Sequence, residues 1–486
     1  MARFRGVVAL LLNVFIIALL SSCTTEDHYY ISDYDYVIEE EPDSTAENIT
    51  QAVFTGDPIH RDNLHWQEGR DRDWEVDIRH FAVKALWHHP LLTDYNYANS
   101  QGIAGVDYFH FAYKMLLRRA AYRNGIVADD ADGIRDSLRE IFIDRINELI
   151  LSIPSLSDSE VKFGLSEVTV LLDDTHTRLH LRPVKVFPVQ TLFHYNGVFF
   201  AGVPKEIEHA LYGELRAING IDIDEIIERL GEVFPHENQY GLRQTIGTHF
   251  LMSKEFLGYI NVVDDRGMAY FTIRSVNGEI FGIELQAIYQ EDFENIDDAQ
   301  FVRHEFSILM HMHHDKDFWY EYFYGGNIMY VRINRLRPGV GNDFEEKLRN
   351  WTQNERIDKF IIDLRGNPGG REWLLSPDLL ESERIRAVYI IIDGGSESAS
   401  VLTASNLRRS GANVQIVGEP AGQPDNFFAG PVGTLSNSGL GYVISMGMTA
   451  QSNSTDITLR PDILIPLTIN DIISNRDPVL DYIWER

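Results

Sequence analysis

The chain has 486 residues, and a single hydrophobic core stops growing before that length, so we expect two or three domains. Hydrophobic residues make up 44% of the chain and charged residues 24%, proportions typical of a soluble globular protein, which argue against disorder of the whole chain. The formal net charge of −30 repels nucleic-acid phosphates and anionic lipid surfaces, so nucleic acid is not an expected partner.

Residues 1–22 have the pattern of a secretory signal peptide. Arg3 and Arg5 precede an apolar run, interrupted only by Asn13, that is too short for a comfortable membrane span. Cys23, the only cysteine of the chain, follows where bacterial lipoprotein signals, which this segment resembles, carry their lipidated residue. The resemblance implies a lipid on Cys23 and a location in the bacterial cell envelope, on the periplasmic side of the outer membrane or at the cell surface. The alternative is a leader followed by an incidental cysteine.

Residues 23–57 are predicted to form an acidic tether. Neither Lys nor Arg occurs between Cys23 and Arg61, and three consecutive glutamates precede Pro42. Such a composition favours an extended segment over a packed one.

Residues 58–183 are predicted to form a helical domain, because apolar residues recur there at intervals of three and four. Asp73 is the expected N-cap of the first helix and Pro90 its stop. The residues with this spacing are Trp74, Ile78, Phe81, Ala85 and Leu86, then Ile134, Leu138, Ile141, Phe142 and Ile146, and finally the stretch from Ser157 toward Leu172.

Residues 184–290 change to short strands and turns. Residues 215–223 predict a strand, an Asn219-Gly220 turn and a returning strand, with a helix from Asp224 to Leu230. This segment resembles PDZ-like modules, which implies that a sheet edge captures an extended peptide. A generic strand and turn without a binding role is the alternative.

Residues 318–486 are predicted to form an α/β domain, so the whole chain is expected to be an α+β multidomain protein. Four apolar runs there suit buried strands: Ile328–Ile333, Phe360–Leu364, Val388–Ile392 and Val414–Val417.

A glycine-rich turn follows the second of these runs, in the segment 361–370. It resembles the Asp-Leu-Arg-x-Asn-x-Gly-Gly segment of the serine peptidase family that contains the C-terminal processing peptidases and the tricorn protease. The resemblance implies a crotonase-like catalytic domain, and an oxyanion hole that uses the backbone N–H of Gly370. Glycine permits such a close approach of the backbone to a developing charge.

The segment 391–400 leads the third run into a turn of small residues. The family's nucleophile stands in a Ser/Thr-x-Ser-Ala context, which implies Ser398 as nucleophile and the N–H of Ala399 as the second oxyanion donor. Ser396 and Ser400 are the nearby alternatives. Val401 departs from the processing branch, which usually has glutamate after this run.

A serine hydroxyl needs a neighbouring base, and the base must lie upstream, because no Lys follows Lys359 and no His follows His314. The segment 171–178 resembles the family's Asp-x-His-Thr motif, and in tricorn-like members a histidine from this part of the fold faces the serine. His176 is therefore the predicted general base, with an unperturbed pKa of about 6.5.

Three carboxylates are candidates for orienting His176. Asp456 is favoured because tricorn-like members place a glutamate at a similar distance beyond the nucleophile, before a Pro-Asp-Ile segment that recurs at 461–463. Glu419 and the adjacent Asp174 remain open.

The resemblance implies a serine-type endopeptidase that hydrolyses extracytoplasmic proteins or peptides through an acyl-enzyme on Ser398. The alternative is a peptide-binding surface lipoprotein on the same fold, because Val401 departs from the family pattern and the lysine that processing peptidases carry after the serine is missing. Ala421 and Gln423 depart from the pattern as well. No cofactor is implied. The pairs His88-His89 and His313-His314 lack the spacing of a zinc site, so no metal is predicted.

Overall fold

The computed structural model describes residues 67, 69–93, 107–194, 197–305, 308–337, 339–340, 342–371, 383–410 and 413–486. The predicted signal peptide, Cys23 and the acidic tether lie outside these residues. Among the described residues, no helix combines the length and the apolar character needed to cross a membrane.

The described chain begins with four α-helices, and groups of strands and helices follow. The α-helices are α1 (Arg70–His88), α2 (Asp107–Arg123), α3 (Ala131–Ser152), α4 (Asp158–Val170), α5 (Ile223–Gly231), α6 (Gln239–Leu251), α7 (Lys254–Tyr259), α8 (Gln290–Glu294), α9 (Asn342–Asn354), α10 (Ala399–Arg409), α11 (Ile469–Ile473) and α12 (Pro478–Trp484). The strands are β1 (Arg178–Leu179), β2 (Lys185–Val186), β3 (Gln190–His194), β4 (Gly197–Pro204), β5 (Glu214–Ile218), β6 (Ile221–Asp222), β7 (Met268–Arg274), β8 (Ile280–Gln286), β9 (Ile288–Tyr289), β10 (Phe301–Arg303), β11 (Phe318–Phe323), β12 (Ile328–Ile333), β13 (Lys359–Asp363), β14 (Val388–Ile392), β15 (Val414–Gly418), β16 (Phe427–Ala429), β17 (Val432–Thr434), β18 (Gly441–Val443), β19 (Gly447–Thr449) and β20 (Ile463–Leu464).

The N-terminal part is helical, as the spacing predicts. The Ser157 hydroxyl accepts from the N–H of Glu160, whose carboxylate accepts in return from the Ser157 N–H, so α4 begins with a capping box. The expected cap of α1 is wrong: α1 begins after Gly69, and Asp73 lies in its first turn. A carboxylate in the first turn still stabilises the helix through the helix dipole.

The middle part is a seven-stranded sheet in the order β10-β4-β5-β7-β8, with β3 paired to β4 and β6 to β5. Asn219 and Gly220 have φ angles of 50° and 81°, so the predicted turn between β5 and β6 is confirmed. The side chain of Asp222 caps α5 by accepting from the Asp224 N–H. The apolar residues of this middle part and those of the N-terminal helical part form one continuous core. The PDZ-like identity of this sheet and the domain boundaries stay predictions.

The C-terminal part is a six-stranded sheet in the order β11-β12-β13-β14-β15-β20. In this sheet β12, β13, β14, β15 and β20 are parallel, and β11 pairs antiparallel with β12. Alternate residues of these strands pack on opposite faces, against α9 and α10 on one side and α12 on the other. Burial on both faces explains why these strands are continuous apolar runs in the sequence. The predicted α+β fold class is confirmed.

Candidate active site

Ser398 stands at the junction of β14 and α10. It is the N-cap residue of α10, with φ 52° and ψ −123°, a conformation that side-chain-bearing residues rarely adopt. The turn presents its hydroxyl beyond the carboxyl end of a buried strand, where parallel sheets place their functional groups.

The two predicted turns meet because β13 and β14 are neighbouring parallel strands. The Asp393 carboxylate accepts from the N–H of Gly366 at 2.7 Å, and the Glu397 N–H donates to the Asn367 carbonyl at 3.0 Å. These bonds hold the glycine-rich turn directly against the turn that carries Ser398.

The alternative serines are engaged elsewhere. The Ser396 hydroxyl donates to the Leu364 carbonyl at 2.9 Å, and the Ser400 hydroxyl donates to the Glu397 carbonyl at 2.7 Å. Both residues are fully buried, so their hydroxyls serve to fix the turn.

Two backbone N–H groups were predicted to act as oxyanion donors, and neither is used by the local hydrogen bonds of the described residues. The N–H of Ala399 is in the first turn of α10, where helix N–H groups have no intrahelical acceptor. Gly370 forms an isolated parallel bridge with Leu336, whose bonds use the Gly369 carbonyl and the Arg371 N–H. The N–H of Gly370 takes no part in this bridge.

His176 lies in the loop between α4 and β1, and Asp174 shapes this loop. The Asp174 carboxylate accepts from the N–H groups of His176 and Thr177 at 3.0 and 3.1 Å and from the Nε2 of buried His89 at 3.2 Å. Phe427 stacks on the His176 ring, with centroids 5.3 Å apart and planes 10° apart. The imidazole is therefore held on two sides.

The structure brings His176 to Ser398, since the Nε2 atom lies 3.2 Å from the Oγ atom. This separation is within hydrogen-bond reach for a nucleophile and its base. The two residues are 222 positions apart in the sequence.

Gln423 lies next to the Nδ1 of His176, where a catalytic triad has its third member. Its Nε2 lies 3.3 Å from Nδ1 and 3.2 Å from the Oε1 of Glu237. Its Oε1 accepts from the Ser398 N–H at 2.5 Å. A single fully buried amide thus contacts the nucleophile, the base and an acid.

The carboxylates predicted for this position lie elsewhere. Asp456 is exposed and pairs with Arg460 at 3.8 Å, because the loop that carries it turns outward. Glu419 accepts from the Leu467 N–H at 2.8 Å. Asp174 is close to His176, but it bonds to the backbone of the loop instead of Nδ1.

Glu237 is the acid that sequence reasoning missed. It is 5% exposed and accepts from the Thr175 N–H at 3.2 Å and from the Thr175 hydroxyl. Asn238 fixes its loop by accepting from the N–H of Gly241 at 2.9 Å and donating to the Ile457 carbonyl at 2.8 Å. No local pattern marks residue 237, because only the packing of α6 against the segment around residue 422 brings it to the site.

The electrostatics of the site are set by burial. Burial lowers the pKa of His176 to about 4, against the opposing charge of Asp174. Burial also raises the pKa of Glu237 to about 7, with Asp174 adding to the effect. Although burial disfavours a charged Asp174, the hydrogen bond and charge of His89 hold the pKa of its carboxyl well below the usual range. At neutral pH the base is therefore uncharged and Glu237 is close to its titration midpoint.

Asp174, His176 and Glu237 place three potential metal-ligand atoms within 4.8 Å of one another. Both Asp174 oxygens, however, already accept hydrogen bonds from the loop. A metal ion would also have to displace the Gln423 amide from His176. The three side chains are therefore better suited to hydrogen bonding than to binding a metal ion.

Comparison with known proteins identifies the motif-bearing segment. The family model described as peptidase family S41 matches residues 327–375, which span β12, α9, β13 and the glycine-rich turn. The match confirms the resemblance predicted from the motifs and supports a serine-type peptidase. None of the curated proteins matches the chain.

Solved structures share the fold. Mature CPAF is similar with a TM-score of 0.52 and 11% sequence identity, over 85% of this chain and 95% of that one. Mature CPAF complexed with lactacystin is similar with a TM-score of 0.51 and 11% identity, over 85% of this chain and 97% of that one. At this identity the likeness extends to the fold alone.

Proposed function

We propose that this chain, whose residues 327–375 match the model of peptidase family S41, is a serine endopeptidase with Ser398 as nucleophile and His176 as general base. The observation that carries the proposal is the separation of 3.2 Å between His176 Nε2 and Ser398 Oγ. A neutral histidine beside a serine on a strained strand-to-helix turn is the arrangement that nucleophilic acyl transfer requires.

The reaction follows from this geometry. The Ser398 oxygen attacks the carbonyl carbon of a peptide bond, and its proton passes to the Nε2 of His176. The N–H groups of Ala399 and Gly370 receive the negative charge that develops on the carbonyl oxygen. His176 then protonates the leaving amine, and water hydrolyses the acyl-serine with the same histidine as base.

A second candidate function is peptide binding without hydrolysis. The supporting observation is the Gln423 Nε2, a hydrogen-bond donor, at the position where a triad has an acceptor for the Nδ1–H. A histidine that accepts at Nδ1 carries its proton on Nε2 and cannot take another from the serine.

Covalent labelling separates the two candidates. A fluorophosphonate probe should attach to Ser398 of the wild-type chain, and Ser398→Ala should abolish labelling. His176→Ala should slow it by at least about a thousandfold, in line with the cost of removing a catalytic histidine. Lactacystin is a useful second ligand, because mature CPAF has been solved in complex with it.

A matched control is Ser410→Ala at the other end of α10, where the hydroxyl donates to the Leu407 carbonyl at 2.6 Å. This variant should be labelled at the wild-type rate. Mass analysis of the fragments of an unfolded protein substrate then distinguishes internal cleavage from trimming at the carboxyl end. An unlabelled wild-type chain that still binds peptides would favour the binding function.

For the cellular setting we propose a lipid anchor on Cys23 and an extracytoplasmic site of action. The support is the leader pattern of residues 1–22 and the single cysteine after it. Mass spectrometry of the membrane-extracted protein should find an acylated N-terminal Cys23, and Cys23→Ser should release the protein from membranes. An intact N-terminal Met1 would contradict the proposal.

A further inference from the structure

The orientation of the Gln423 amide determines which nitrogen of His176 carries the proton. The Ser398 N–H can only donate, so the Gln423 atom that contacts it at 2.5 Å must be the carbonyl oxygen. The amide nitrogen then points toward the Oε1 of Glu237, a carboxylate acceptor, at 3.2 Å. Two independent contacts therefore require the same orientation of the amide.

In this orientation the Nδ1 of His176 faces an N–H donor at 3.3 Å and must accept. A neutral imidazole that accepts at Nδ1 has its proton on Nε2, the atom 3.2 Å from the Ser398 hydroxyl. This tautomer donates to the serine and cannot receive its proton. The resting arrangement has a nucleophile and a base in contact but the wrong tautomer for catalysis.

Glu237 is the acid placed to favour the other tautomer of His176, with the proton on Nδ1. One of its carboxylate oxygens lies within 4.8 Å of a His176 ring nitrogen, with the Gln423 amide inserted between the two side chains. A carboxylate hydrogen bond to an imidazole N–H spans about 2.8 Å, so a shift of about 2 Å after Gln423 leaves would complete it.

We propose that Glu237 is the carboxylate that orients His176 for catalysis, and that Gln423 holds the resting site in the inactive tautomer until it moves out of the gap. This inference rests on the proposed peptidase function. Glu237 is a positioning residue here: it does not contact the substrate, but it accepts the Nδ1–H and so leaves Nε2 free to take the serine proton.

Replacing Gln423 by glutamate is the most direct test. In Gln423→Glu one carboxylate oxygen keeps the bond to the Ser398 N–H, and the other accepts the Nδ1–H of His176. A protonated Glu237 can then donate to the new carboxylate. We expect Gln423→Glu to be labelled by the fluorophosphonate at least tenfold faster than the wild type at pH 6.5. Gln423→Ala should show no such increase in the labelling rate.

The complementary test removes the acid. Glu237→Gln should slow labelling and lower kcat at least tenfold with KM unchanged, because a histidine in the wrong tautomer loses most of its function as a base. The double variant Gln423→Glu/Glu237→Gln should recover the rate of Gln423→Glu, which a purely structural role for Glu237 would not permit. Glu167→Gln is the matched control, since burial also raises the pKa of Glu167, whose partner is Tyr259.

The pH dependence of the labelling rate gives a second readout, besides the size of the rate changes at one pH. Asp174 and Asp173 raise the pKa of Glu237 and Arg119 lowers it, while Asp174 raises and Arg178 lowers that of His176. The wild-type labelling rate should rise with pH through about 7, as Glu237 loses its proton. Gln423→Glu should lack this step.

The outcomes separate the two hypotheses. Wild-type labelling that is unchanged in Glu237→Gln would overturn this inference and leave the proposed function intact. Slower labelling of Gln423→Glu than of the wild type would do the same, because Gln423 would then be the orienting residue itself. If neither the wild type nor Gln423→Glu is labelled at Ser398, both hypotheses fail.

Discussion

Gly369 lies so close to Ser398 that a β-carbon at residue 369 would stand 2.5 Å from the Ser398 Cβ and 2.8 Å from the Ala399 nitrogen. Real β-carbons do not approach other atoms this closely, so the glycine-rich turn touches the nucleophile only because residue 369 has no side chain. The glycines of this turn therefore have separate roles: Gly369 permits the contact, and Gly370 presents an N–H.

Gly369→Ala should displace Ser398 and lower the fluorophosphonate labelling rate at least about a hundredfold, because small misplacements of reacting groups are costly. Gly278→Ala is the control: Gly278 has a comparable φ of 86°, but a β-carbon there would meet open space. It should cost about 1 kcal/mol of stability and leave labelling unchanged. Equal labelling of both variants would show that the close contact is not needed.

Asp456→Asn should leave labelling within about twofold of the wild type. Its side chain is 57% exposed, and its ion pair with Arg460 is on the surface, where such pairs contribute little. Labelling rates of the purified variant and of the wild type measure this. A large loss of activity would support Asp456 as the acid that orients His176, as the family resemblance implies.

Asp477→Ala should destabilise the fold by about 3–5 kcal/mol. The Asp477 carboxylate accepts from buried Arg365 at 2.8 Å and caps α12 by accepting from the Val479 N–H at 3.1 Å. Its loss would leave the buried guanidinium groups of Arg332 and Arg365 sharing the single carboxylate of Asp363. Asp481→Ala on the same helix breaks only the exposed pair with Arg476 and should cost less than about 1 kcal/mol. Chemical denaturation measures both. Similar losses for the two variants would contradict the importance of the buried pair.

Glu397 should make a contribution to the stability of the folded protein that is lost as the pH rises from about 4.5 to 7. Burial raises the pKa of Glu397 to about 7, so the unfolded chain releases this proton at lower pH than the folded one, and ionisation then favours unfolding. Above pH 7 this effect is complete. Glu397→Gln should remove up to about 3 kcal/mol of the loss, measured by denaturation at pH 5 and pH 8. A variant with the pH dependence of the wild type would contradict the raised pKa.

The strands of the C-terminal sheet were predictable because they are buried on both faces. β12 and β14 have the bounds expected from the sequence, β15 ends one residue later, and β13 is shifted by one residue at both ends. The helix α2 was not predicted. The cap of α1 was misplaced, because carboxylates near a helix start can act in the first turn as well as at the cap.

The candidate site was likewise predictable only in part. The motifs around residues 176, 366 and 398 are short and local, and the structure brings all three together. The acid was assigned to Asp456 from its spacing along the chain, yet an orienting group is defined by its position in space. Gln423 was noted only as a departure from the family pattern, and its contacts with Ser398, His176 and Glu237 could not be inferred from it.

The sequence by itself determined the α+β class, the strands that carry the active-site turns, and the residues expected to act as nucleophile, base and oxyanion donors. Local rules are enough for these, since apolar runs, glycines and a serine after a strand act within a few residues of one another. Only the tertiary structure decided which groups surround the Nδ1 of His176. Glu237 and Gln423 are 186 residues apart, and the packing of buried segments, which no local pattern encodes, places both beside the base.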